Sequence, residues 1–126
     1  MNWPVYRYSE VLLLLAESLE EQNKAGADTY LKEVRDRAGL GDYSGDLGEA
    51  IFNERRVELA FENKRWFDLV RTGRAINVIT ALGNKIKANP IDYYYPVGAE
   101  PRGNAFSNIS ERYALPASES SLNPNF

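Results

Sequence analysis

The segment that decides the interpretation of this chain is Glu54–Arg74, which reads Glu-Arg-Arg-Val-Glu-Leu-Ala-Phe-Glu-Asn-Lys-Arg-Trp-Phe-Asp-Leu-Val-Arg-Thr-Gly-Arg. Large apolar residues and charges of both signs alternate through it. On a helix, residues three or four positions apart are neighbours, so the spacing predicts an ion-pair network. Its members are Arg55, Glu58, Glu62, Arg65, Asp68 and Arg71.

Exposed helical ion pairs contribute only about 0.2–0.5 kcal/mol each, which would not explain this density of charge. We therefore interpret the network as half buried beside Phe61, Trp66 and Phe67, with Trp66 in the core. A buried pair that loses one partner costs about 3–5 kcal/mol. The sequence thus predicts a structural role for these charges rather than a catalytic one.

Before this segment, apolar residues recur with helical spacing between Tyr8 and Gln22 and predict the first helix. A turn at Asn23–Gly26 separates it from a second helix that Asp28 can cap. Gly39 stands where a left-handed residue ends a helix in a Schellman motif. The short turn predicts an antiparallel helical hairpin.

The central helix is predicted to begin at Asp46, because Glu49 three residues later completes a capping box. Asn63 tolerates the left-handed conformation, so we expect a break there and a short helix over 65–72. A last helix is predicted over 74–82, and Gly83 is expected to end it.

After residue 87 the composition changes, because five of the six prolines follow it among repeated Asn, Ser and Gly. We expect one mainly all-α domain over residues 1–126, helical over 1–87, with a long irregular C-terminal loop region over 88–126. Any β-structure would be one or two short strands.

Composition excludes several classes of protein. The 126 residues include no cysteine and no histidine, which rules out disulfides, Ser-His-Asp catalysis and most zinc sites. A net charge of −3 disfavours a nucleic-acid partner. We expect no cofactor and no metal. The sequence shows neither a transmembrane span nor a signal-peptide pattern.

Four motifs together resemble the SusD/RagB family of outer-membrane nutrient-binding lipoproteins. They are Arg7–Glu17, Leu31–Leu40, the pair Glu54–Glu62 and Arg65–Arg71, and the closing segment Leu115–Asn125. They occur in the family's order across nearly the whole chain. One departure is Ala117, which stands where the family usually has a second hydrophobic-proline step.

The resemblance implies tetratricopeptide-like helical hairpins and a position in the C-terminal part of a longer protein. The signal peptide and the lipid-bearing cysteine of the family are missing from this sequence. It also implies a non-enzymatic protein of the outer membrane and cell surface, which binds glycans for nutrient uptake beside a TonB-dependent, SusC-like transporter. The matched motifs look like scaffold and transfer no ligand contact to this chain.

Candidate ligand residues lie in the C-terminal loops, where aromatic faces and amides suit sugar rings: Tyr93, Tyr94, Tyr95, Asn104 and Asn108. The alternative is that the tyrosines pack the loop against the helices or face a missing domain. Because the family's main glycan site lies outside the motifs, we expect the isolated chain to bind no oligosaccharide measurably.

Two other classes of function remain. A helical protein–protein interaction scaffold without a small-molecule ligand explains the hairpins equally well. A glycosidase would use two carboxylates such as Glu54, Glu58, Glu62 or Asp68, but each has an arginine within helical reach, which lowers a carboxyl pKa.

The first helix carries a further expectation about association. Leu13 and Leu14 widen its apolar stripe beyond what one partner hairpin can cover. We therefore expect the chain either to self-associate through Tyr8–Leu19 or to leave that helix partly exposed.

Overall fold

A computed structural model describes residues 6–99 and Ser110. The described residues form five α-helices and one 3-10 helix and contain no strand, which confirms the all-α, tetratricopeptide-like prediction. The helices are α1 (Tyr8–Glu21), α2 (Ala27–Arg37), α3 (Leu47–Glu58), α4 (Arg65–Arg71) and α5 (Ala75–Ala88), followed by the 3-10 helix Pro90–Tyr93. The chain divides into two compact units, Met1–Arg65 and Trp66–Phe126.

The first unit is built around α1, which packs against both α2 and α3. Its core is a cluster of six buried side chains: Leu12, Leu13, Ala16, Leu31, Val34 and Ile51. Full burial of a leucine or isoleucine side chain stabilises a fold by about 1.5–3 kcal/mol. The apolar positions that share one face of each helix therefore hold the three helices together.

Two of three local signals at the ends of α2 and α3 behave as the sequence predicts. Gly39 adopts a φ of 71°, and Leu40 N–H donates to the Arg35 carbonyl at 2.9 Å, as in a Schellman motif. Asp46 Oδ1 accepts from Glu49 N–H at 2.9 Å and caps α3. The predicted cap at Asp28 is wrong, because Gly26 occupies the N-cap and Asp28 lies inside the first turn.

The break after α3 is confirmed, although the helix ends at Glu58, before the predicted position. Phe61 and Asn63 both adopt left-handed φ values, 66° and 59°, which turn the chain before α4. The expectation that Phe61, Trp66 and Phe67 shelter the charges is wrong, since these side chains are 99%, 38% and 69% exposed. The helix α4 has only seven residues and buries Asp68 and Leu69.

In the second unit, α4 ends in another Schellman turn. Gly73 has a φ of 67°, and Arg74 N–H donates to the Leu69 carbonyl at 2.8 Å. The helix α5 does not end at Gly83, which is buried within it, and continues to Ala88. A glycine in a helix interior costs about 1 kcal/mol relative to alanine. That cost is too small to end α5 at Gly83.

The helix α1 is only partly buried, as expected, and of the two predicted residues Leu14 is half-buried while Leu13 is not exposed. Leu13 is fully buried in the core, whereas Tyr8, Val11 and Leu15 are 70%, 50% and 39% exposed. These three lie on one side of the helix, and we call them the Tyr8–Leu15 stripe. No helix in the described ranges is long and apolar enough to cross a membrane.

Candidate functional site

The most concentrated polar site of the first unit surrounds the carboxylate of Glu58, at the end of α3. Arg7, just before α1, donates from Nη1 to Glu58 Oε1 at 2.9 Å and from Nη2 to the Glu58 carbonyl at 2.6 Å. Arg37, at the end of α2, donates from Nη2 to both Glu58 carboxylate oxygens, at 2.7 and 2.8 Å. Arg7 also lies 2.8 Å from Glu62 Oε1. One carboxylate thus joins three helices.

The electrostatics of this site keep Glu58 ionised. Burial raises the pKa of the Glu58 carboxyl, but the Ser9 hydroxyl and the guanidinium groups of Arg7 and Arg37 outweigh it, and the pKa is lowered overall. The neighbouring Glu62 and Glu58 carboxylates raise the pKa of Arg7, against the effect of burial. The arrangement therefore favours a charged Glu58 carboxylate at neutral pH over proton transfer.

Two further buried carboxylates follow the same pattern. Glu54 Oε2 accepts from Arg35 Nη1 at 2.6 Å, which links α3 to α2. Glu10 Oε2 lies 3.2 Å from Lys64 Nζ, which links α1 to the segment before α4. The Glu54 and Glu10 side chains are only 6% and 5% exposed. Each buried acid of the first unit thus meets a cation from a distant part of the sequence.

The residues that the sequence predicts as one network differ in their partners and burial in the structure. Glu58 and Glu62 both meet Arg7, which lies outside the segment. Arg65 lies with Cζ 4.3 Å from the Phe52 ring centre, and Arg55 is buried. In the second unit, Arg71 Nε donates to Asp68 Oδ1 at 3.0 Å, three residues back on the same helix.

Sequence reasoning missed the cations that carry these contacts: Arg7, Arg35, Arg37 and Lys64. Helical spacing relates only residues close in sequence, whereas Arg7 and Glu58 are 51 positions apart. A usable signal was nevertheless present. Arg7 lies in one quoted motif and Arg35 and Arg37 lie in another, and both motifs precede an acid-rich helix.

The candidate ligand residues are only partly described. Tyr94 is fully exposed with a left-handed φ of 63°, just after the 3-10 helix, and Tyr95 is 40% exposed. Tyr93 is half-buried at the end of that helix. Asn104 and Asn108 lie outside the described residues.

A groove opens beside the Glu58 site, between α1 and α2. Its volume is about 310 Å³, and its lining consists of Arg7, Tyr8, Ser9, Leu12, Glu33, Val34 and Arg37. The lining combines apolar side chains with the charged side chains of Arg7, Glu33 and Arg37. The described residues hold no group of three or more acidic residues placed to bind a metal ion.

The helical hairpin and its cross-helix ion pairs define an all-α scaffold, and comparison with known proteins assigns the family. Residues 1–125 match the SusD family. SusD-like protein P2 of Formosa agariphila is 33% identical, over 98% of this chain and 24% of the relative. SusD-like protein P25 of the same organism is 37% identical, over 64% of this chain and 17% of the relative. The chain belongs to the SusD family.

The chain spans about a quarter of the length of the first of these relatives. No solved structure matches it.

Proposed function

We propose that this chain is part of a nutrient-binding protein that delivers glycans to a TonB-dependent, SusC-like transporter at the outer-membrane surface. The observation that supports this is the SusD family match over residues 1–125, together with relatives named as SusD-like proteins. In this proposal residues 1–126 form one C-terminal segment of a longer protein, and the ion-paired helices act as scaffold.

The geometry of the acids supports a non-catalytic role. A glycosidase needs a carboxyl with a raised pKa to protonate the leaving group. Glu58 has the opposite shift, and Glu54 and Glu62 each contact an arginine. These carboxylates are arranged to hold helices together rather than to exchange protons with a substrate.

The C-terminal loop is proposed to contribute aromatic contacts to the ligand of the whole protein. Tyr94 and Tyr95 present exposed rings that can stack on a sugar, and Tyr93, Asn104 and Asn108 complete the proposed set. The left-handed conformation of Tyr94 supports this, because strained backbone is concentrated at functional sites.

The test is co-purification from the natural host. The protein would be tagged at its C-terminus and extracted from membranes in mild detergent, with an unrelated tagged surface lipoprotein as the control. We expect a TonB-dependent transporter at near-equal amount with this protein and not with the control. Calorimetry of the complex against a glycan panel then identifies the ligand, and a preparation with neither transporter nor glycan affinity contradicts the proposal.

The second candidate is a protein–protein interaction scaffold, which the exposed Tyr8–Leu15 stripe favours. A row of apolar residues on a helix is a usual contact surface for another helix or a second copy. Sedimentation of the chain at several concentrations would show self-association, and Val11→Lys with Leu15→Glu should abolish it. A wild type that stays monomeric at high concentration would remove the second copy as the partner.

A further inference from the structure

The segment 60–64, between α3 and α4, carries backbone strain, and we call it the strap. Its residues Phe61 and Asn63 have φ values of 66° and 59°. Asparagine adopts this left-handed conformation readily, but for a bulky residue it is uncommon and costly. The Phe61 ring is 99% exposed, so packing of the ring does not offset the cost. Other contacts must therefore hold the strap in place.

These contacts join the strap to the residues at the start of α1, within the first unit. Glu62 Oε1 lies 2.8 Å from Arg7 Nη2. Lys64 Nζ lies 3.2 Å from Glu10 Oε2 and 4.8 Å from the centre of the Tyr6 ring. The strap is thus fixed on both sides of Phe61 by charged groups that come from more than 50 positions earlier in the sequence.

The strap and the core of the first unit are held by different forces. None of the five strap residues is buried, and the side chains of Glu62 and Lys64 are 26% and 24% exposed. In the core, by contrast, Leu13 and Leu31 are fully buried among apolar side chains. Salt screens partly exposed charges, whereas it does not screen apolar packing. The two parts should therefore respond differently to ionic strength.

We propose that the strap is a conformational device that opens as a whole while the core of α1, α2 and α3 stays folded. The strain at Phe61 favours the open form, and the ion pairs of Glu62 and Lys64 favour the closed form. Opening separates these two side chains from Arg7 and Glu10 and releases Phe61 from the left-handed region. Segments with few buried apolar contacts open in this way at a lower free energy than the whole fold. Higher ionic strength shifts the balance towards the open form.

The test is hydrogen exchange of the 126-residue chain, followed by nuclear magnetic resonance under conditions where exchange reports the opening equilibrium. The Glu62 amide reports on the strap, because it donates to the Leu59 carbonyl at 3.2 Å. The amides of Leu13 and Leu31 report on the core. We expect Glu62 to exchange at least about tenfold faster than either of them, after correction for intrinsic rates.

Salt should act on the strap alone. A rise in sodium chloride from about 0.1 M to about 1 M shortens the Debye length from about 10 Å to about 3 Å. Exchange at Glu62 should become about twofold to fivefold faster, the range that corresponds to loss of a partly exposed ion pair. Exchange at Leu13 and Leu31 should stay unchanged.

Variants of opposite effect separate strain from charge. Phe61→Gly should slow exchange at Glu62 about threefold, because glycine adopts the left-handed conformation without a steric penalty. Phe61→Ala removes the ring but keeps the strain, so it should leave the rate within about twofold of the wild type. Glu62→Gln should speed exchange about twofold to fivefold through its lost pair with Arg7. The matched control is Lys32→Met, which breaks an exposed pair with Asp42 and should have no effect on the strap.

Three results would overturn the proposal. Equal exchange rates for Glu62 and the core amides would show that the strap opens only when the first unit unfolds. Equal slowing by Phe61→Gly and Phe61→Ala would assign the effect to the ring rather than to the backbone. Exchange at Glu62 that does not respond to salt would show that ion pairs do not hold the strap closed.

Discussion

The two units of the chain differ in where the cation that pairs with a buried carboxylate comes from. In the first unit, Glu54 and Glu58 meet arginines from α2 and from the residue before α1. In the second unit, Asp68 meets Arg71 on the same helix, three residues later. Pairs that cross between helices make each helix depend on the others, whereas a pair within one helix stabilises mainly that helix. Substitutions should therefore have larger effects in the first unit.

The largest effect should follow Arg35→Met, which leaves the Glu54 carboxylate buried without its cation. Removal of one partner from a buried pair costs about 3–5 kcal/mol. Because the Arg35 side chain is 21% exposed, water can partly replace it, and we expect a loss of about 3 kcal/mol. Urea denaturation measures this free energy of unfolding. Lys32→Met is the control, because Lys32 and Asp42 form an exposed pair, and it should leave the midpoint unchanged. A loss below about 0.5 kcal/mol for Arg35→Met would show that the pair is not coupled to folding.

A smaller effect is expected on acidification, through Glu58. Its pKa is lowered in the folded state, so its contribution is fully present above the ordinary glutamate pKa and disappears as the pH falls through the folded value. We expect the urea midpoint of the wild type to fall as the pH drops below the ordinary glutamate pKa, and the midpoint of Glu58→Gln to fall less over the same range. Parallel pH profiles for the two proteins would exclude Glu58 as a source of the acid sensitivity.

The next prediction concerns a turn of the second unit. Gly73 has a φ of 67° and open space around it, so Gly73→Ala should cost about 1 kcal/mol from backbone strain alone. Gly41 has similar open space without a left-handed φ, which makes Gly41→Ala the matched control in the first unit. The midpoint of thermal unfolding should be lower than that of the wild type for Gly73→Ala and unchanged for Gly41→Ala. Equal effects would mean that the conformation of Gly73 relaxes at no cost.

The smallest effect should follow Arg71→Met. Asp68 is buried but Arg71 is 40% exposed, so water can partly replace the guanidinium, and we expect a loss of about 1 kcal/mol or less. Urea denaturation beside Arg35→Met gives the comparison directly. A loss as large as that of Arg35→Met would show that the local pair matters as much as the pairs between helices.

The sequence predicted the five helices and several of their ends, because those depend on neighbouring residues. The cap at Asp46, the left-handed turn at Gly39 and the break near Asn63 each follow from chemistry within four or five positions. Gly83 shows the limit of such signals, because a buried position in α5 accepts a residue that would otherwise favour a helix end.

The site was less predictable, because its contacts depend on how the helices pack. The acids of the network were named from their spacing, but the partners of Glu58 are far away in sequence, and no local pattern pairs Arg7 with Glu58. Burial was equally hard to assign. Trp66 looked like core from its position in a stripe, yet it is 38% exposed on a helix of seven residues.

The contact of Arg7 with Glu58 also limits when the first unit can finish folding during synthesis. The guanidinium at the start of α1 must wait until 51 further residues have emerged before it can reach the end of α3. Contacts between residues this far apart in sequence form slowly. They stabilise the fold only after the entropy cost of ordering the intervening residues has been met. Until then Arg7 lacks both of its carboxylate partners, and the buried Glu10 of α1 lacks its cation, because Lys64 follows Glu58 in the sequence. The first hairpin alone is therefore an incomplete unit, whose charges are paired only after the end of α3 and Lys64 have been made.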